Sequence, residues 1–117
     1  MSAVLKNEYG KIIYNESYLA TIAGINAIES YGLVGMSDKH IGDTIANFFK
    51  SDKFKKGVKI QTDETENIVV ELYITVKYGV TLSVVAENII DKVKYAVENE
   101  TGLNVQSVDI VVQGIEV

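Results

Sequence analysis

The chain has no cysteine, no proline and no tryptophan, and none of its eleven basic residues is an arginine. Without cysteine, disulfides, thiolate metal sites and cysteine nucleophiles are excluded. Without arginine there is no bidentate guanidinium grip on phosphate or carboxylate. The single histidine, His40, has no second histidine with which to share a metal ion. It falls in the first turn of an expected helix, where a cation is disfavoured, so it reads as neither catalytic nor metal-ligating. The nine glycines are scattered. Gly32-Leu33-Val34-Gly35 follows an expected helix rather than a strand, so it is no phosphate-cradling loop. Apolar runs fall far short of the ~18–20 residues that span a bilayer. Residues 1–10 hold one lysine and no apolar run, unlike a signal peptide. The expectation is a protein of the reducing cytoplasm.

What is present is a chain of 117 residues, 47% hydrophobic and 23% charged. That length suits one domain, 1–117, in which roughly two-thirds of the unfolded surface is buried. Sixteen acids against eleven lysines give a net charge of −5. A generic nucleic-acid binder is more basic. No catalytic constellation is apparent, and no cofactor is implied.

Hydrophobic spacing sets the elements. Residues 9–14 read as a short strand, and Asn15 or Glu16 opens a helix to about Ser30. Tyr18, Leu19, Ile22, Ala23 and Ile25 share one wide face of it, and Ser17, Ala20, Thr21 and Gly24 form a small-residue side. Asn26 falls in the apolar face and reads as a core amide satisfied by backbone, with a ligand contact as the alternative. Gly32 is expected to end this helix, followed by a brief extended piece, 33–36. Ser37 then caps a second helix, 38–50, striped by Ile41, Ile45, Phe48 and Phe49. Strands are expected at 57–62 and 68–78, joined by a polar turn containing Asp63, Glu64 and Glu66. That acidic turn has no ligand spacing of the EF-hand kind, so it reads as a solvated hairpin tip. In 68–78 the even positions suit a core and the odd positions suit an open face. Ile74 is central, so an aspartate there is expected to unfold the domain, and one at Thr75 to be tolerated. Thr81 caps a long helix, 82–100, which Gly102 stops. The last strand, 103–113, changes parity between Val105 and Val108, which predicts a bulge near Gln106-Ser107. A right-handed crossover would make the last two strands parallel. The expected fold is α/β (α+β): a two-layer sandwich of a small mixed sheet with helices mainly on one face.

Two surface features stand out. Val84, Asn88, Asp91 and Tyr95 fall on the outer stripe of the long helix. With Val69 and Tyr73 on the open side of strand 68–78, the apolar members Val84 and Tyr95 suggest self-association. Separately, Lys50, Lys53, Lys55, Lys56 and Lys59 place five bases within ten residues, near Phe48, Phe49 and Phe54. This patch would suit an anionic partner: an acidic protein, an anionic membrane surface or, less well given the charge balance, single-stranded nucleic acid.

Three blocks give the chain a family likeness. They are GKIIYNESYLATIAGINAIESYGLVGM (10–36), the isolated strand Gly57-Val58-Lys59-Ile60, and ENIVVELYITVKYGVTLSVVAENIIDKVKYAVENETGLNVQSVDIVVQGI (66–115). Together they resemble the alkaline shock protein, or envelope stress response, family of Gram-positive bacteria. Lacking long polar or acidic extensions, the chain resembles the short, compact members. The resemblance implies a non-enzymatic cytoplasmic structural or interaction protein related to envelope stress. It also implies a homo-oligomer, held near the membrane in some members by an integral membrane anchor protein. It supplies no catalytic residues. The alternatives are a nucleic-acid-binding module using the lysines of 50–59, or a small-ligand carrier.

Overall fold

The strict alternation of the strand that begins near Ile68 organises the architecture. In the computed structural model, which describes residues 2–35, 57–77, 79 and 81–116, this strand is β4 (Asn67–Lys77). Ile68, Val70, Leu72 and Val76 are buried, while Val69, Glu71 and Tyr73 are half-buried and Thr75 is exposed. Ile74 is only partly buried at the margin of the core, so Leu72 marks its centre instead.

The remaining described elements, in chain order, are β1 (Ser2–Asn7), β2 (Gly10–Asn15), α1 (Glu16–Gly35), β3 (Val58–Thr62), α2 (Leu82–Thr101) and β5 (Asn104–Glu116). β3 and β4 form the expected antiparallel hairpin, and β4 and β5 are parallel, giving a mixed sheet of order β3-β4-β5. Its even face and the buried sides of α1 and α2 share one core. β2 does not join this sheet. It pairs with β1, a strand absent from the sequence expectation, in a separate antiparallel hairpin. Asn7 shapes the tight turn, its Oδ1 accepting from the amides of Tyr9 (2.8 Å) and Gly10 (3.1 Å).

Local chemistry explains the element ends. Asn15 is the N-cap of α1, its Oδ1 accepting from the amide of Ser17 at 2.9 Å. The helix then buries Leu19, Ile22, Ala23, Gly24, Ala27 and Ser30. It continues through Gly32 to Gly35, so Leu33 to Gly35 are helical rather than extended. A glycine inside a helix costs only about 1 kcal/mol, which the surrounding context overrides. The expected helix 38–50 and its cap Ser37 lie outside the described residues. At the start of α2, Thr81 is extended but its side chain makes no capping hydrogen bond. Its carbonyl accepts from Val84 and Val85 instead, both at 3.1 Å. At the other end Gly102 takes a left-handed φ of 78° and its amide donates to the Glu98 carbonyl at 2.9 Å. A Cβ there would also stand 3.2 Å from Leu5 Cδ2.

The parity change in β5 is a bulge where expected. Ile68 pairs with Val105 and Val69 with Ser107, leaving Gln106 as the extra residue. A second shift lies between Ile74 and Thr75, where Gln113 is skipped beside Gly114.

Leu72→Asp is expected to unfold the domain, because an unpaired buried charge costs about 3–5 kcal/mol. Thr75→Asp, on the exposed side, is expected to change stability by about 0.5 kcal/mol or less. Thermal melts followed by circular dichroism check both. Equal damage would mean that both faces of β4 are enclosed.

Candidate interaction surfaces

Because the core row of α2 is Val85, Ile89, Val93 and Val97, helical spacing turns Val84, Asn88, Asp91 and Tyr95 away from it. Val84 is 48% exposed and Tyr95 71%. Val69 and Tyr73 are half-buried on the opposite layer, the open face of the sheet. The four residues singled out in the sequence therefore lie on two surfaces with the core between them.

The open sheet face is mixed in character. Glu71 sits at its centre, accepting hydrogen bonds from Tyr73 Oη and from Gln61 Nε2, both at 2.9 Å. Lys59 Nζ lies 5.2 Å from the centre of the Tyr73 ring, a cation–π contact. Asp109 of β5 stands directly opposite Glu71, and Val111 opposite Tyr73. Of the lysine patch only Lys59 is described, exposed on β3. Lys50, Lys53, Lys55 and Lys56, with His40 and Phe48, Phe49 and Phe54, lie outside the described residues.

The α1–α2 side carries an open cleft of about 530 Å³ lined by Asn26, Lys92, Tyr95, Ala96, Asn99 and Glu100. Asn26 takes the bland role: its Nδ2 donates to the Ile22 carbonyl at 2.8 Å. Lys92 pairs with Glu29 at 3.3 Å. Two of the polar side chains of the cleft are thus already paired within the protein. Among the described residues no cluster of His, Asp and Glu is placed to hold a metal ion. The acidic turn is exposed, and the Asp63 carboxylate accepts from the amide and hydroxyl of Thr65. These bonds lower the Asp63 pKa from its ordinary value, the Thr65 hydroxyl contributing most.

Beside the α2 terminus, the rings of Tyr14 and Tyr18 stack at 6.0 Å. Tyr14 Oη donates to the Thr101 carbonyl at 2.8 Å, and Tyr18 Oη to Glu100 Oε1 at 3.3 Å. Desolvation, then the neighbouring Glu100 carboxylate, raises the Tyr18 pKa.

The β1–β2 hairpin adds a surface that the sequence reading passed over. Tyr9 at its turn is almost fully exposed, and Ile12 and Ile13 are 48% and 58% exposed. The signal was available: adjacent residues of a strand face opposite ways, so Ile12 and Ile13 cannot share one buried face.

No helix among the described residues is long and apolar enough to cross a membrane. Residues 4–117 match the pattern of the alkaline shock protein 23 family, described as having a cell envelope-related function. An uncharacterised protein of Bacillus subtilis strain 168, YloU, is 41% identical over 118 residues, covering 100% of this chain and 98% of its own length. An uncharacterised protein of Streptococcus pyogenes serotype M6, Spy1614, is 32% identical over 118 residues, covering 100% and 97%. A second from that organism, Spy1535, is 30% identical over 112 residues, covering 95% and 84%. No solved structure matches the chain.

Tyr18 offers a titration test. Its raised pKa means that the folded state holds the phenol proton to higher pH than the unfolded chain. The stability linked to it is fully present below the ordinary value of 10.0 and is lost as pH rises through the folded value. Glu100→Gln removes the carboxylate, so the Tyr18 pKa is expected to fall toward 10.0 in an NMR titration. No movement would show that Glu100 does not act on the ring.

Proposed function

This chain belongs to the alkaline shock protein 23 family, whose function is cell envelope-related, and from that membership we propose that it is a non-enzymatic interaction protein that works as a homo-oligomer. The observation that carries this reading is the outward placement of apolar side chains, led by Val84 and Tyr95 on a helix whose opposite side already fills the core. Single exposed apolar residues need no explanation, but several on outward faces of one small domain suit protein contacts. Tyrosine favours interfaces because it joins apolar area to a polar tip. The net charge of −5 opposes association only weakly, since screening at physiological salt acts over about 8 Å.

In this reading the protein is cytoplasmic and reaches the envelope through a partner, an integral membrane anchor. The family likeness supports that placement. No reaction, metal or cofactor is assigned to it.

Light scattering across a concentration series tests the reading. Wild type is expected to gain mass with concentration, and Tyr73→Ser combined with Tyr95→Ser to weaken association about tenfold, the loss of a modest apolar contact. A wild type that stays monomeric to about millimolar concentration, where only contacts weaker than roughly −4 kcal/mol would escape, contradicts it. A double variant that associates as well as wild type leaves oligomerisation standing and removes these two tyrosines from the interface.

A further inference from the structure

The hairpin and the sheet each present an outward face with a charged row beside an apolar row, and the charges are opposite. In β1–β2, Lys6 pairs with Lys11 and Val4 with Ile13. Directly paired residues of an antiparallel ladder point to the same side. That side is the hairpin's outer one, because the alternate set turns inward: Ala3 is fully buried and Tyr14 reaches the Thr101 carbonyl. On the sheet, Glu71 pairs with Asp109 and Tyr73 with Val111, and these stand on the face away from α1 and α2.

We infer that the outer face of the hairpin docks onto the open sheet face of a second copy, lysine row on acidic row and Val4–Ile13 on Tyr73–Val111. This rests on the self-association reading above and names its geometry.

The dimensions agree. Within each row the two side chains start about 5 Å apart, one inter-strand spacing. The charged and apolar rows are two residues apart on each strand, about 6.7 Å. Two such faces can stack as sheets do, at about 10 Å. The charges also want partners. Like charges placed opposite each other on a ladder are destabilising, and each copy carries one such pair of each sign. Lys6 and Lys11 make no ion pair among the described residues, although Lys6 shares a shallow cleft with Glu64 and Glu66. Asp109 and Lys11 are exposed, and Ile13 and Val111 are 58% and 40% exposed. Lys59, opposite Glu71 on β3, holds its ammonium over the Tyr73 ring rather than against the carboxylate.

The contact joins two different patches, so it is heterologous. Such contacts close into rings or run on as filaments. The excess of acids elsewhere on the chain favours a low-affinity, salt-sensitive assembly over a permanent dimer.

Charge reversal tests this with full-length protein. The variants are Lys6→Glu with Lys11→Glu, and Glu71→Lys with Asp109→Lys. A milder pair, Lys11→Glu and Asp109→Lys, changes only exposed positions and guards against misfolding, checked by circular dichroism. In light scattering each reversed protein alone is expected to associate at least about tenfold more weakly than wild type. An equimolar mixture of the two is expected to regain association, because the hairpin of each then meets an opposite charge on the other. If wild type associates and the reversed proteins alone do so equally well, or if the mixture regains nothing, this docking geometry is wrong while self-association stands. If wild type does not associate at all, the self-association reading falls and the docking falls with it.

Discussion

Everything in this fold depends on the seam where α1, α2 and the even face of β4 share one core. Val85, Ile89, Val93 and Val97 on α2 and Ile68, Val70 and Leu72 on β4 are each 2% exposed or less. Burying apolar surface gives about 25 cal/mol per Å², and these residues are the centre of the one core. The seam also dictates topology. A helix laid on the sheet must return its chain to the same edge direction, which makes β5 parallel to β4. The return is made within three residues. Thr101 Oγ1 donates to the Val97 carbonyl at 2.6 Å and accepts from the Leu103 amide at 3.1 Å. Gly102 turns the chain, and Glu98 Oε2 accepts from the Val105 amide at 3.1 Å.

The same node holds the hairpin. A two-stranded sheet is marginal alone, and β1–β2 is held by Ala3 in the core, by Tyr14 on the Thr101 carbonyl and by the Val4 amide on the Thr65 carbonyl at 3.0 Å. The Asn104 amide meets the Glu66 carbonyl at 2.8 Å at the same end. Anchoring one side of the hairpin leaves its other side outward. Covering one side of the sheet with helices leaves the far side outward as well. The outward apolar faces are therefore a consequence of how few layers a chain of 117 residues can build.

Much of this was legible because it rests on period. The alternation of 68–78, the 3.6-residue stripe of 82–100 and the glycine at 102 each left a local signature, and the parity flip from Val105 to Val108 announced the bulge at Gln106. The second irregularity, beside Gly114, had a signal in an isolated strand glycine that went unread. β1 was missed because Ala3, Val4 and Leu5 form no alternation; only pairing with β2 and docking on the core make them a strand. Gly32 misled because glycine permits a stop without requiring one. For the candidate surfaces, periodicity identified Val84 and Tyr95 as outward and Val69 and Tyr73 as open-faced. It could not show that the two pairs lie on opposite layers, nor that Lys6 meets Lys11 and Glu71 meets Asp109. Those juxtapositions exist only once register is set.

The absence of cysteine makes the most direct test of these surfaces clean. Ile13→Cys and Val111→Cys proteins, mixed at equal concentration with a short bis-maleimide linker, report which faces meet. Faces stacked about 10 Å apart hold opposing Cα atoms beyond the ~4.4–6.8 Å that a disulfide spans, so the linker rather than direct oxidation joins the thiols. The account predicts that the mixed 13–111 cross-link dominates over the 13–13 and 111–111 products, and that high salt suppresses it. Symmetric products in excess, or all three in the random 1:2:1 proportion, would contradict it.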